Sequence, residues 1–146
     1  MAQVYDNTDF FWTARGDFFL GGNGDIQDTE DDPLRSLIQE IKTRIEGNQY
    51  DWENNPEIGA GIGDFVGEPN NKQTAEAIKT RIINALTSDG FIQTKDIKVK
   101  YMPVNSDHIL FRISVDVAPT VTNRSSTQIL YNLVYSYSNN NVYSVR

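Results

Sequence analysis

In the stretches 34–45 and 75–86 apolar residues recur every three or four positions, and from residue 97 onward they recur every second position. Leu34, Leu37, Ile38, Ile41 and Ile45 form one stripe of a helix, with Arg35, Gln39, Lys42 and Glu46 outside it. The run Asp28-Thr29-Glu30-Asp31-Asp32-Pro33 places acidic residues and a proline where a helix begins, so the helix is expected to start near Asp32. Gly47 supplies its stop, and Glu40 and Arg44 stand one turn apart, a pair worth ~0.3 kcal/mol on an exposed helix. A second helix is predicted from about Asn71 to Ser88 on the stripe Ala75, Ile78, Ile82, Ala85 and Leu86, with Asp89-Gly90 ending it.

From Asp96 onward the period is two. Ile97, Val99 and Tyr101 alternate with Lys98 and Lys100, and beyond Asn105-Ser106-Asp107 the series Ile109, Phe111, Ile113, Val115, Val117 alternates with more polar positions. These segments predict an antiparallel hairpin. A connection over Ala118–Thr127 leads to a third strand near Gln128–Ser138, and Asn139-Asn140-Asn141 turns into a short last strand, Val142–Val145. Helices followed by strands indicate an α+β fold with two helices packed on a small antiparallel sheet, preceded by an N-terminal extended segment. One domain over residues 1–146 accounts for this order: an extended aromatic and glycine-rich part (1–27), the helices and hairpin (28–117), and the C-terminal strands (118–146).

Two segments lack a clear period. The first combines Phe10, Phe11, Trp12, Phe18, Phe19 and Leu20 with Gly16, Gly21, Gly22 and Gly24, which suits short extended pieces joined by glycine turns. Its aromatics either pack on the domain's own core or form a patch that docks a partner. The second, residues 48–70, is rich in Asn, Gly and Pro but is interrupted by Tyr50, Trp52, Ile58, Ile62, Phe65 and Val66. A loop of this length either serves function or carries short structure of its own. No internal repeat is expected anywhere in the chain.

Composition narrows the chemistry. The 146 residues contain no cysteine, so disulfides, thiolate metal sites and a cysteine nucleophile are excluded. No basic region with an apolar stretch follows Met1, so no secretory signal is expected, and no segment reaches the ~20 continuous apolar residues of a membrane span. The net charge of −7 is unevenly spread: residues 1–68 hold fifteen Asp and Glu against four Lys and Arg, and residues 69–146 hold five against nine, giving −11 and +4. The basic residues are dispersed, which argues against nucleic acid and favours complementarity with neighbouring proteins or plain solubility. His108, the one histidine, sits at a predicted turn, and no metal or nucleotide motif survives inspection: Asp64 stands where the third glycine of GxGxxG belongs after Gly59 and Gly61. No cofactor is expected. Twenty acidic residues could in principle supply a glycosidase pair, but none stands out as a raised-pKa acid facing a second carboxylate.

The order of motifs is more specific than any one of them. Gly24-Asp25-Ile26, the first helix with Thr43 and Arg44, then Asp51-Trp52-Glu53-Asn54-Asn55-Pro56-Glu57-Ile58-Gly59, the second helix and the strand pair resemble the GPW or gene-25-like family of phage baseplate wedge proteins, over roughly residues 16–117. The resemblance implies a structural, non-enzymatic subunit of a contractile tail or related injection system. Such a protein would sit in the virion tail baseplate, after assembly in the host cytoplasm, and join larger wedge-core proteins to the first ring of the tail sheath, with tube or hub proteins as further neighbours. Some family members have been labelled tail lysozymes, which supplies the alternative of a lysozyme-like glycoside hydrolase. The family often carries Glu-Pro-Arg after its second helix; here Ser88-Asp89-Gly90-Phe91-Ile92 stands there, with an acid at Asp89 and no arginine. The expected partner-binding residues are Asp89, Phe91 and Ile92 with Trp52, Pro56 and Gly59 toward the wedge core. Toward the sheath they are Tyr131, Leu133, Tyr135, Tyr137 and Tyr143 of the C-terminal strands.

Overall fold

The computed structural model describes residues 9–13, 15–30, 32–118 and 127–136, together with the backbone of 141–145. It has the expected α+β architecture. Helix α1 spans Pro33–Glu46 and α2 spans Lys72–Thr87; strands β1 (Ile97–Pro103), β2 (His108–Val117), β3 (Thr127–Ser136) and β4 (Asn141–Val145) follow. The sheet is an antiparallel meander in the order β1-β2-β3-β4. The expected connection over 119–126 and the turn over 139–140 lie outside the described residues.

The helix starts follow from local chemistry. Asp32 caps α1 by accepting from the Arg35 N–H, with Pro33 in the first turn where no intrahelical partner for its nitrogen is needed. Asn71 caps α2 by accepting from the Thr74 N–H. At the other end of α1, Gly47 is extended (φ −74°, ψ 156°) rather than left-handed, and its N–H donates to Thr43 O. Asp89, in the turn after α2, is left-handed at φ 57°, a conformation that a short polar side chain tolerates better than most.

The helices cover one face of the sheet. Alternate residues Ile109, Phe111, Ile113 and Val115 of β2 and Ile129, Leu133 and Tyr135 of β3 are buried against Leu37, Ile41 and Ile45 of α1 and Ile78, Ile82 and Leu86 of α2. The predicted stripe of α1 was one residue too wide, because Ile38 is exposed. The opposite sheet face carries Lys98, Lys100, Met102, Arg112 and Leu130, all exposed, and no helix lies on it among the described residues.

The N-terminal arm contains a repeat that the sequence reading did not expect. Its unit is eight residues: Asp9-Phe10-Phe11, Asp17-Phe18-Phe19 and Asp25-Ile26-Gln27, with Gly16 and Gly24 closing the first two units at φ 85° and 80°. The backbone bonds repeat at the same interval. Phe11 N–H donates to Gln27 O, Gln27 N–H to Phe19 O, and Phe19 N–H to Phe11 O, a closed ring. A second ring joins Thr13 to Asp17, Gly21 to Asp25 and Thr29 to Asp9. The bridges Trp12–Phe18, Leu20–Ile26 and Asp28–Phe10 complete three short segments that each pair with both others. The third unit ends at Asp32 instead of glycine, and this residue becomes the cap of α1. Gln27 in place of a phenylalanine and Asp32 in place of a glycine break the apolar spacing, so the period is not visible in hydrophobicity alone.

Candidate protein-binding groove

The exposed side of α1 forms the floor of an open groove of about 1180 Å³. Phe11 and Trp12 of the arm, Trp52 and Ile58 of the loop after α1, and Leu130 and Tyr131 of β3 line it together with Ile38, Lys42 and Glu46 of α1. Ile38, Trp52 and Leu130 are all exposed, so the groove gathers large apolar side chains from parts of the chain that are far apart in sequence.

Each wall is fastened by specific bonds. Gln39 of α1 holds the arm, its Oε1 accepting from the Trp12 N–H and its Nε2 donating to Phe10 O and Asp9 Oδ2. The Arg35 guanidinium lies 4.2 Å from the centre of the Phe11 ring. Tyr131 donates its hydroxyl proton to Glu46 Oε1 at 2.7 Å, fixing β3 to the end of α1. The loop is set by Gly59, at φ 123°, where an added Cβ would lie 2.5 Å from the Asn48 carbonyl; from there Ala60 N–H donates to Arg44 O and Gly61 N–H to Gly47 O. Tyr135 anchors the far end of the same loop by donating to Phe65 O at 2.6 Å and Glu68 O at 3.0 Å. The long loop thus carries structure of its own, including the 3-10 turn Ile62–Phe65.

Behind the groove, Arg44 joins both helices. Only 3% of it is exposed. Its Nε donates to Glu40 at 2.7 Å, its two terminal nitrogens each donate to one Asp89 oxygen at 3.0 Å, and Nη1 also reaches Ala85 O. The ring of Phe91 stacks 4.2 Å from the guanidinium carbon. Burial acts to lower the Arg44 pKa, but the bonds and charges of Asp89 and Glu40 outweigh it and the pKa is raised. Asp89, in the turn after α2, thus takes its guanidinium partner from α1.

These contacts sort the expected partner-binding residues. Trp52 and Pro56 are exposed, and Trp52 and Tyr131 line the groove. Asp89 is engaged by Arg44, and Phe91 is half-buried beneath it. Ile92, Leu133 and Tyr135 require correction as surface anchors: all three are buried in the chain's own core, Leu133 and Tyr135 because strand alternation places them on the helix-covered side, and Ile92 because the turn after α2 folds it back, its N–H donating to Leu86 O. Gly59 is also buried and serves a close backbone approach. Tyr143 stands opposite Val134 in the β3–β4 register, and Tyr137 lies outside the described residues. Ile38 and Leu130 were missed as groove residues. Leu130 was legible, since it falls on the opposite face of its strand from Ile129 and Tyr131; Ile38 was absorbed into the apolar stripe of α1.

No cluster of three or more potential metal ligands occurs among the described residues, and no helix there is long and apolar enough to cross a membrane. No protein-family model matches the chain, and neither curated proteins nor solved structures gave a match.

Proposed function

We propose that this chain is a structural subunit of the baseplate wedge in a contractile phage tail or related injection system, and that it works by binding other proteins. The observation that carries the protein-binding part is the groove over α1, where Ile38, Trp52 and Leu130 are exposed together beside Tyr131. Apolar anchors of this size, with Lys42, Glu46 and Arg35 among the same lining residues, have the mixed make-up of a protein-docking surface. The baseplate part rests on the motif order from Gly24-Asp25-Ile26 through the strand pair, which resembles the gene-25-like wedge proteins. In this reading the groove takes a segment of a larger wedge-core protein, and the C-terminal strands face the first sheath ring.

Co-expression with a wedge-core protein and a sheath protein of a contractile tail, followed by pull-down, tests the reading. Ile38→Asp and Trp52→Ala should each weaken capture of the wedge-core protein by at least tenfold while leaving the fold intact, since both side chains are exposed. Full capture by both variants would remove the groove from the interface. A peptidoglycan-release assay on the same preparation addresses the glycosidase alternative: turnover abolished by exchanging one Glu or Asp for its amide would replace the structural reading with an enzymatic one.

A further inference from the structure

The arm presents a surface that its own chain does not cover. Residues 9–32 hold seven acidic residues against one basic, Arg15. Within this acidic unit the eight-residue repeat leaves Phe10 53%, Phe18 47% and Leu20 62% exposed. An apolar patch inside a net-negative surface selects a partner that is apolar and basic.

The open face of the sheet has that chemistry. Lys100 on β1 stands directly opposite Arg112 on β2, with Lys98 two residues away on the same side. Like charges directly opposite one another on neighbouring strands are destabilising, yet ion pairs among the described residues leave all three without a carboxylate. Arg112 instead donates from Nε to the neutral Asn132 Oδ1 at 3.1 Å. Beside the cations runs an apolar row, Met102 opposite Leu110 and Leu110 opposite Val134. Among the described residues the one acid on this face, Asp116, lies toward the far end of β2 and accepts from Gln128. The arm of the same chain is held instead on α1, where Gln39 accepts from the Trp12 N–H and donates to Phe10 O.

We propose that the acidic, aromatic arm of one copy docks on the basic sheet face of a second copy. The two surfaces differ, so the contact is head-to-tail, and repeated it gives a ring if the rotation closes and an open filament if it does not. The proposal is independent of the baseplate reading, since it needs only this chain.

Sedimentation velocity of the purified protein across a wide concentration range is the test, at low and high ionic strength. The average mass should rise with concentration, and high salt should weaken association by at least tenfold because cation–carboxylate contacts are screened. The triple variant Lys98→Glu, Lys100→Glu, Arg112→Glu and the arm variant Asp17→Lys, Leu20→Arg should each stay monomeric. An equimolar mixture of the two should form a 1:1 dimer, because the first retains an intact arm and the second an intact sheet face. Wild-type protein that stays monomeric throughout, or single-face variants that associate as well as wild type, would overturn the proposal. A mixture that yields no dimer would do the same, provided circular dichroism shows both variants folded. Should the arm variant fail to fold, the triple variant decides alone, since its three positions are on the solvent side of the sheet.

Discussion

Arg44 looks in sequence like one half of an exposed helical pair and proves to be the fastening of two helices. At the surface, the Glu40–Arg44 pair would contribute a few tenths of a kcal/mol; buried, the guanidinium satisfies two carboxylates and a carbonyl and stacks on Phe91. Arg44→Ala is expected to lower stability by about 2–4 kcal/mol, somewhat under the full effect of breaking a buried pair, because Asp89 keeps access to water. Arg44→Lys should recover only part of this, since an ammonium keeps the charge but loses the two-pronged contact and the stacking. Urea unfolding of both variants measures the difference, and equal stability of Arg44→Lys and wild type would show that charge alone matters here. Sequence offered no sign of this role: Arg44 lies three residues after Ile41 and one before Ile45, at the margin of the apolar stripe, and its partner is forty-five positions away.

The elements themselves were mostly written in period and punctuation. The stripe of α2 is buried at all five predicted positions, and β1 and β2 run close to the predicted bounds, because alternation with one covered face leaves little choice of register. Boundaries set by capping, at Asp32 and Asn71, were equally legible. What sequence could not show was the path of the loop between the helices, which depends on Gly59 passing against the Asn48 carbonyl and on Tyr135 reaching it from β3. Gly59→Ala should therefore destabilise by about 2–4 kcal/mol, combining a disfavoured φ with a backbone collision. Gly67→Ala, at φ 92° but with open space around the added methyl group, should lose only about 1–2 kcal/mol. Thermal unfolding of the pair checks this, and equal losses would mean that conformation rather than collision sets the effect at Gly59. The groove was legible only as separate anchors, Trp52 on a loop and Tyr131 on a strand, because their meeting over α1 is a tertiary fact.

On the scale of the whole molecule, the helices and sheet share one core while the arm is held mainly through Gln39 and Arg35. The arm's order must then come largely from itself, and its closed pairing has a dynamic consequence. A hairpin or an open sheet frays from its outermost strand, so its amides exchange with solvent in a graded series from edge to centre. Three segments that each bond to both others have no outermost member. Opening any one of them breaks its bonds to both others and leaves a lone two-stranded pair, which is marginal by itself, so the amides of Phe11, Phe19 and Gln27 should exchange with one common opening free energy. Hydrogen exchange followed by NMR reads this directly, and three well-separated values would show that the segments open one by one. Counting is constrained in the same way: one residue inserted in a single turn throws two pairings out of step, so changes of length in the arm are tolerated only outside the three units.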